Sequence, residues 1–151
     1  IWERWNGIRT DGSFEPASMN SFNHYAYGAI GDWMYRVVAG LDTYLDGPGY
    51  QHIKIQPVIG GTLTSAAATL KTYYGVAGSS WKLEGDNLLM DVTIPANAHA
   101  TVHIPASGVD KITEGNQSIA DNKSFPVTSS SNGVVVIELG SGTYHFSIAK
   151  K

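Results

Sequence analysis

The stretch Asp46-Gly47-Pro48-Gly49 divides the chain into two regions that differ in composition. Proline lacks the backbone N–H that a helix or a central strand needs, and glycine turns the chain easily, so this stretch ends the element before it. Three of the four tryptophans precede it, whereas Val, Ile, Thr, Ser, Gly and Lys are prominent after it. We therefore predict two regions, residues 1–45 and residues 46–151.

The first region carries a helical pattern that we place between Ser21 and Gly40. Asn20 or Ser21 can cap its first turn, because either side-chain oxygen can accept a hydrogen bond from a free backbone N–H. A helix that is apolar around much of its circumference is normally buried in a larger helical assembly, which the rest of this chain does not supply. We therefore expect the chain to be part of a larger protein. The apolar positions recur at spacings of three and four: Phe22, Ala26, Ala29, Ile30, Trp33, Val37 and Leu41, widened by Met34 and Val38.

The second region has the pattern of an antiparallel β-sandwich. Short alternating segments are separated by turn signals roughly every 8–12 residues, which is the spacing typical of this architecture. Gly85-Asp86-Asn87 is a good hairpin turn between two of them. The fold class that we predict is mainly β, a sandwich preceded by one long helix. The predicted strands are Tyr50–Val58, Thr62–Leu70, Gly75–Leu83, Leu88–Ile94, Ala100–Ile104, Lys111–Thr113, Phe125–Val127, Val134–Leu139 and Thr143–Ile148.

Composition excludes several classes of function. The net charge is −3 and no Lys/Arg run is present, so neither nucleic acid nor an anionic membrane is an expected partner. There is no apolar run of about 18 residues that could span a bilayer. The absence of cysteine removes disulfides, thiol catalysis and Cys-ligated zinc, and it leaves the cellular compartment open.

Glu3 is the first candidate for chemistry, because it stands between Trp2 and Trp5. An indole offers a flat apolar face to a sugar ring, and a carboxylate can transfer a proton, so this combination is typical of a sugar-cleaving site. The alternative is a solvated or salt-bridged glutamate. Two neighbouring indoles with large apolar areas to bury favour the functional interpretation.

His24 is the second candidate, and it falls in the first turn of the predicted helix, away from the main apolar stripe. A neutral imidazole can donate a hydrogen bond from one ring nitrogen and accept one at the other, so His24 could bind a sugar hydroxyl. A histidine that only packs against neighbouring residues, or is exposed, is equally compatible with its position.

Other polar residues are weaker candidates. Asp11 and Glu15 are expected to be solvated loop acids, with Asp11-Gly12 as a turn. His99 and His103 would share one face of a strand, but the histidines lack metal-ligand spacing, so we predict neither a metal nor another cofactor.

Three aromatic residues of the second region could form a carbohydrate-binding platform, namely Tyr73, Tyr74 and Trp81. A role in the core or between domains is the alternative that we favour for them, because large aromatic side chains usually bury their area.

Two strings of residues carry a family resemblance. The chain resembles the bacterial α-L-rhamnosidases of glycoside hydrolase family seventy-eight, and the resemblance extends to about Pro105. Each string alone is weak, but their order and separation together are specific. The strings are Ile1-Trp2-Glu3-Arg4-Trp5 and Met19-Asn20-Ser21-Phe22-Asn23-His24-Tyr25-Ala26-Tyr27-Gly28, followed by Trp33–Arg36, Ala39–Leu41, Pro48–Tyr50, Ile53–Pro57, Tyr74-Gly75 and Ser79–Trp81.

The resemblance implies that residues 1–45 are the C-terminal end of an (α/α)6 catalytic barrel and that residues 46–151 are the β-sandwich that follows it. It also implies an inverting enzyme that releases terminal α-L-rhamnose, with Glu3 as the general base. His24 would contact the rhamnose, and Trp2 and Trp5 would line or support the sugar subsite.

The same resemblance places the general acid upstream, on a part of the barrel that this chain lacks. We therefore expect the chain to be inactive by itself and to need the remainder of the barrel as its partner, with a rhamnose-containing glycoside as substrate. The apolar helix face predicts self-association of the isolated chain. The alternative function is a non-catalytic β-sandwich module with a carbohydrate-binding, structural or interdomain role.

Overall fold

The computed structural model describes residues 1–120 and 122–149. These residues form two compact units, Ile1–Trp33 and a second unit that begins at Met34. The first unit contains two 3-10 turns, Ala17–Met19 and Tyr25–Tyr27, and the short helix α1, Gly28–Trp33. No helix in the described ranges is long and apolar enough to cross a membrane.

The predicted helix start at Ser21 is wrong, because helical structure begins at Tyr25 and the cap is His24. Asn20 and Ser21 make other bonds instead. The Asn20 side-chain amide donates to the Gly7 carbonyl at 2.8 Å, and the Ser21 N–H donates to a carboxylate 18 positions earlier in the chain. Both residues therefore belong to a loop, which the helical periodicity did not predict.

The helical path ends in the second unit as a π-helical turn, Met34–Val38. The Ala39 N–H donates to the Met34 carbonyl, five positions back, and this bond closes the wide turn. Gly40 then adopts φ +74°, the left-handed conformation that glycine accepts without strain. A Cβ at this position would lie within 2.1 Å of the Pro57 nitrogen, so the chain needs a glycine here.

The second unit is a two-sheet sandwich, as predicted. The five-stranded sheet has the order β1-β2-β6-β10-β9 and the six-stranded sheet the order β3-β4-β5-β11-β7-β8. Neighbouring strands are antiparallel except β2 and β6, which run parallel. The strands are β1 Leu41–Thr43, β2 His52–Ile55, β3 Ser65–Thr72, β4 Gly75–Glu84, β5 Asn87–Ile94, β6 His99–Pro105, β7 Ile112–Glu114, β8 Gln117–Ser118, β9 Val127–Ser131, β10 Val134–Leu139 and β11 Gly142–Ala149.

The core lies between the two sheets and follows the alternation of the strands. In β5 every second residue from Leu88 to Ile94 is buried, and in β10 the same holds for Val135, Ile137 and Leu139. Because successive side chains of a strand point to opposite faces, this pattern places one face of each sheet in the core.

Trp81 and Ser79 connect the sandwich core to the end of the π-helical turn. The buried Trp81 indole N–H donates to the Val38 carbonyl at 2.7 Å, and the Ser79 hydroxyl donates to the Ala39 carbonyl at 2.6 Å. Helix ends leave carbonyl groups without intrahelical partners. These two side chains satisfy such groups inside the protein, where an unpaired carbonyl is costly.

Most predicted strands are confirmed to within a few residues, and Val134–Leu139 agrees at both ends. The predicted strand Tyr50–Val58 is shorter than expected, since Tyr50 has φ +69° and only His52–Ile55 pair. The strand Leu41–Thr43 lies where we predicted the end of the helical region, so it was missed. The predicted strand Phe125–Val127 is displaced, because Phe125 is buried in a loop and pairing begins at Val127.

Candidate active site

The first unit brings the two candidate residues together by backbone pairing. The Glu3 N–H donates to the Ser21 carbonyl at 2.7 Å, and the His24 N–H donates to the Ile1 carbonyl at 2.9 Å. These bonds align the segment around Glu3 beside the segment that precedes α1. Glu3 and His24, 21 positions apart in the sequence, therefore become neighbours.

The Glu3 carboxylate is oriented by the same pairing. Its Oε2 accepts a hydrogen bond of 2.9 Å from the Ser21 backbone N–H. Its Oε1 lies 4.0 Å from His24 Nε2, which is beyond hydrogen-bonding distance. The Glu3 side chain is 24% exposed, so the carboxylate is partly shielded but still reachable from solvent.

His24 caps the helical segment with its own side chain. Its Nδ1 accepts a hydrogen bond of 3.3 Å from the Ala26 backbone N–H, and its ring stacks on the Tyr25 ring at a centroid distance of 5.6 Å. The imidazole is held from one ring nitrogen, while the other ring nitrogen faces Glu3.

Trp2 and Trp5 line a cavity of about 360 Å³ together with Ile1, Glu3 and Arg4. Trp2 is fixed by an edge-to-face contact with Phe22, at a centroid distance of 4.9 Å. Trp5 is 97% exposed and presents its ring to solvent. The cavity combines apolar ring surface with a carboxylate, which is the combination expected for a sugar subsite.

Asp11 is an exposed loop acid, as predicted, whereas Glu15 is ion-paired and its side chain is only 19% exposed, so it is not the solvated acid that we expected. The Ser13 N–H and hydroxyl both donate to Asp11, and these bonds lower the pKa of the Asp11 carboxyl. Arg9 forms a two-contact ion pair with Glu15, and its hydrogen bond lowers the pKa of that carboxyl. Both carboxylates therefore stabilise the turn that carries the bridge between Ile8 and Phe14.

Three of the four sandwich histidines lie in one group with Tyr44, whose ring is 4.3 Å from that of His52. His99 stacks on His52 at 4.3 Å, whereas His103 Nε2 lies 3.2 Å from the Tyr44 hydroxyl. Within residues 1–120 and 122–149, no group of three or more His, Cys, Asp or Glu side chains is placed to hold a metal ion.

The aromatic platform on the sandwich is contradicted for Trp81, which is 1% exposed and belongs to the core. Its burial follows from the inward position of Trp81 on β4 and from its bond to the Val38 carbonyl. Tyr73 is 94% exposed, but the Tyr73 and Tyr74 rings stand at 85° to each other. The two rings therefore do not form one flat surface for a sugar.

Two backbone groups of the site were missed in the sequence, namely the N–H groups of Ser21 and Ala26. Residue types do not reveal such donors. The only signal was the Asn20-Ser21 pair, which we interpreted as a helix cap, whereas the cap is His24.

Two family models match nearly adjacent parts of the chain. The model of the bacterial alpha-L-rhamnosidase 6 hairpin glycosidase domain matches residues 1–38, and that of the bacterial alpha-L-rhamnosidase C-terminal domain matches residues 40–118. Among curated relatives, an alpha-L-rhamnosidase of Formosa agariphila is 38% identical over 97% of this chain and 16% of its own length. One of Streptomyces avermitilis is 37% identical over 98% of this chain and 13% of its own length.

Solved structures similar to this chain are also of alpha-L-rhamnosidases. The Streptomyces avermitilis alpha-L-rhamnosidase complexed with L-rhamnose superposes with a TM-score of 0.76 at 36% identity, over 98% of this chain and 13% of that chain. The alpha-L-rhamnosidase from Dictyoglumus thermophilum superposes with a TM-score of 0.79 at 31% identity, over 99% of this chain and 16% of that chain. The chain thus spans 16% or less of the length of the Formosa agariphila and Streptomyces avermitilis relatives. By the two family models together with these relatives, the chain belongs to the bacterial α-L-rhamnosidase family.

Proposed function

We propose that this chain is part of an inverting α-L-rhamnosidase and that Glu3 is its general base. One observation carries the proposal. The Glu3 carboxylate has one oxygen held by the Ser21 N–H, and its other oxygen faces His24 across a gap of 4.0 Å, beside a cavity lined by indoles. The similarity to an alpha-L-rhamnosidase solved with L-rhamnose supports rhamnosides as the substrate class.

An inverting glycosidase uses two carboxyl groups on opposite sides of the scissile bond. The base takes a proton from a water, whose oxygen attacks the anomeric carbon, while the acid protonates the leaving-group oxygen. The two groups stand roughly 6.5–9.5 Å apart to leave room for this water. Glu3 Oε1 is suited to the base role, because Oε2 is occupied by the Ser21 N–H and fixes the orientation of the carboxylate.

The general acid is proposed to come from outside these 151 residues. Asp11 and Glu15, which lie nearest to Glu3 in the sequence, are bound to Ser13 and Arg9. Their hydrogen bonds favour the ionised carboxylate, which is the wrong state for an acid. The isolated chain should therefore give no turnover of an aryl rhamnoside.

Trp2, Trp5 and His24 complete the proposed subsite. The indoles would offer apolar faces to the carbon-bound hydrogens of the sugar, and His24 would contact a polar group of the same sugar. Because Trp2 is braced by Phe22 while Trp5 is exposed, Trp2 would form the fixed wall and Trp5 the open side of the subsite.

The division into an end of the catalytic barrel, residues 1–45, and a sandwich, residues 46–151, is part of the same proposal. The change of family model between residue 38 and residue 40 supports a division into these two parts, whereas the pairing of β1 with β2 favours a boundary a few residues before residue 45. The remainder of the barrel would be the partner that supplies the general acid.

The test is Glu3→Gln in the intact α-L-rhamnosidase that contains this chain. We expect kcat on an aryl rhamnoside to fall by about 10²–10⁴-fold, the usual contribution of an acid or base residue, while rhamnose binding is retained. Glu15→Gln is the matched control, since it makes the same chemical change at a carboxylate that serves the loop. Early NMR spectra of the product should show the inverted anomer.

Near-wild-type turnover of Glu3→Gln would remove the general-base role. A retained anomeric configuration would instead exclude the inverting mechanism, whatever the activity of the variant.

A further inference from the structure

Ser21 holds Glu3 through both of its backbone groups. The Ser21 carbonyl accepts a hydrogen bond of 2.7 Å from the Glu3 N–H, and the Ser21 N–H donates to Glu3 Oε2 at 2.9 Å. The first bond fixes the backbone of Glu3 and the second fixes its carboxylate. The direction in which Glu3 Oε1 points therefore depends on where the backbone of Ser21 lies.

The side chain of the preceding residue, Asn20, ties this backbone to a second segment. Asn20 Nδ2 donates to the Gly7 carbonyl at 2.8 Å and to the Glu15 carbonyl at 3.2 Å. Both partners are acceptors, so the end of the side chain that faces them is the NH2 group with its two hydrogens. The Ser21 N–H belongs to the peptide bond between Asn20 and Ser21. The Asn20 amide therefore connects the peptide bond that holds Glu3 to the two ends of the loop between Gly7 and Glu15.

The Asn20 amide completes a ladder of cross-links between the segment around Glu3 and the segment before α1. The Ser21 N–H lies between the second and the third of these cross-links, so both of them fix its direction. The third uses a side chain, and a substitution can therefore remove it while the backbone groups stay in place. The cross-links join Ile1 to His24, Glu3 to Ser21 and Gly7 to Asn20.

Closure of the loop alone does not explain the Asn20 amide. The Glu15 N–H already donates to the Gly7 carbonyl at 3.1 Å, and Ile8 forms a bridge with Phe14 inside the loop. The ends of the loop are thus joined without Asn20. What the amide adds is a link from these ends to the neighbouring segment, which carries the donor to the carboxylate.

Gly7 leaves the space that this link needs. A Cβ at Gly7 would lie 2.5 Å from Asn20 Oδ1 and 2.9 Å from the Phe22 ring. Gly7 is buried and Asn20 is half-buried, so the two residues are closely packed. The amide therefore sits in a position shaped on one side by the carbonyls that it binds and on the other by the absence of a side chain at Gly7.

The chemistry of the link also requires an amide. Two carbonyl oxygens need two hydrogens from one short side chain. An aspartate carboxylate has no hydrogen to donate, and a serine or threonine hydroxyl has one. Asparagine supplies both N–H groups at this reach.

We propose that Asn20 is a positioning residue for Glu3: its amide fixes the peptide bond between Asn20 and Ser21, whose N–H holds Glu3 Oε2 and so directs Oε1 toward the attacking water. This inference rests on the proposed function, because it assumes that Glu3 is the base. Asn20 acts through Ser21 and takes no part in the proton transfer.

The experiment is a double-mutant cycle in the intact α-L-rhamnosidase that contains this chain. Asn20→Asp has nearly the same shape but turns an oxygen, instead of the NH2 group, toward the two carbonyls. It is made alone and together with Glu3→Gln. Each variant is characterised by kcat on an aryl rhamnoside, the dissociation constant for L-rhamnose and the melting temperature. Asn116→Asp, at an exposed residue between β7 and β8, makes the same chemical change as a control and should leave kcat unchanged.

We expect Asn20→Asp to lower kcat on the order of a hundredfold, since a small displacement of a reacting group has an effect of this size. The dissociation constant for L-rhamnose should stay constant, because Asn20 does not contact the sugar in this role. In the Glu3→Gln background the same substitution should change kcat little, because the group that Asn20 positions has already been removed. A loss caused by partial unfolding would instead have the same factor in both backgrounds.

Wild-type kcat in Asn20→Asp would overturn the inference, and so would an equal factor of loss with and without Glu3→Gln. Asn20→Ala removes both N–H groups without adding a charge, and it takes the place of Asn20→Asp in the cycle if that variant does not fold. The proposed function fails on a different result, namely full activity of Glu3→Gln. An inactive Glu3→Gln together with a fully active Asn20→Asp would leave the general base in place and remove only the role of Asn20.

Discussion

The two units of the molecule differ in where their large apolar side chains lie. In the sandwich, residues such as Trp81, Ile137 and Phe146 are at most 2% exposed. In the first unit, Trp5 is 97% exposed and Tyr25 is 87% exposed, and Gly7 is the one buried residue among those whose burial is described. The sandwich closes its own core, whereas the first unit leaves its apolar surface uncovered.

The candidate chemistry lies in the unit without a core. Glu3 and His24 are held by backbone pairing with Ser21 and Ile1, and His24 also stacks on the exposed Tyr25 ring. Relatives in which this chain fills only 13–16% of the length have ample further residues to cover such a surface. Our proposal assigns the completion of this site to other parts of a longer protein, whereas the described residues of the sandwich bury their own core.

The largest effect that we predict separates two tryptophans, one from each unit. Trp81→Ala should lower the free energy of unfolding by about 3–5 kcal/mol, because it empties a core position and removes the donor to the Val38 carbonyl. Trp5→Ala should change it by no more than about 0.5 kcal/mol, because the ring is exposed. Urea unfolding measures both.

Trp81→Phe sharpens the same comparison, since it keeps a ring in the core but leaves the Val38 carbonyl without its donor. We expect Trp81→Phe to lower the free energy of unfolding by about 1–3 kcal/mol. Equal losses of unfolding free energy in Trp81→Ala and Trp5→Ala would contradict the distinction between a unit with a core and a unit without one.

An intermediate effect concerns self-association of the 151-residue chain. Ile30 is 53% exposed on α1, and an apolar surface of this kind favours contact between copies. Ile30→Lys should weaken association by about tenfold, as expected from the apolar area of one side chain. Val127→Lys, at a residue of the sandwich that is 40% exposed, is the control and should change little.

Sedimentation velocity over a range of concentrations measures this association. A chain that stays monomeric at every concentration, or that responds more to Val127→Lys, would contradict the assignment of the uncovered surface to the first unit.

The smallest effect is a pH dependence confined to the sandwich. Burial lowers the pKa of His103, and the charge of Lys54 adds to this, while Glu138 opposes it. The unfolded chain therefore binds a proton more readily than the folded one, so this contribution to stability is present above the unfolded pKa of about 6.5 and is lost as the pH falls below it. His103→Gln should flatten that part of the curve of unfolding free energy against pH.

The wild-type chain and His103→Gln share all other histidines. The difference between their curves of unfolding free energy against pH therefore reports on His103 alone. Parallel curves between pH 7 and pH 5 would show that His103 does not contribute.

The sandwich was largely predictable from the sequence because its signals are local. Alternation and the Gly85-Asp86 turn located β4 and β5, which pair from Glu84 and Asn87 onward. The parallel pairing of His52 with His99 was not predictable, because three strands of the other sheet, β3 to β5, separate β2 from β6 in the sequence. The strand Leu41–Thr43 was missed for a similar reason, since its partner β2 lies beyond the breaker.

The residues of the candidate site were predictable, but its geometry was not. Composition and family resemblance singled out Glu3 and His24. Their approach depends on the Glu3–Ser21 and Ile1–His24 bonds, which join distant segments through backbone groups that every residue type has.

Residue-resolved hydrogen exchange on the 151-residue chain tests most directly whether the sandwich is complete and the first unit is not. Amides of the central strands, such as Met90 and Val102, should exchange only through global unfolding. The amides of Glu3, Ser21 and His24 are also hydrogen-bonded, yet they should exchange far faster, because little burial holds their partners in place. Equal protection of the two sets of amides would contradict the account.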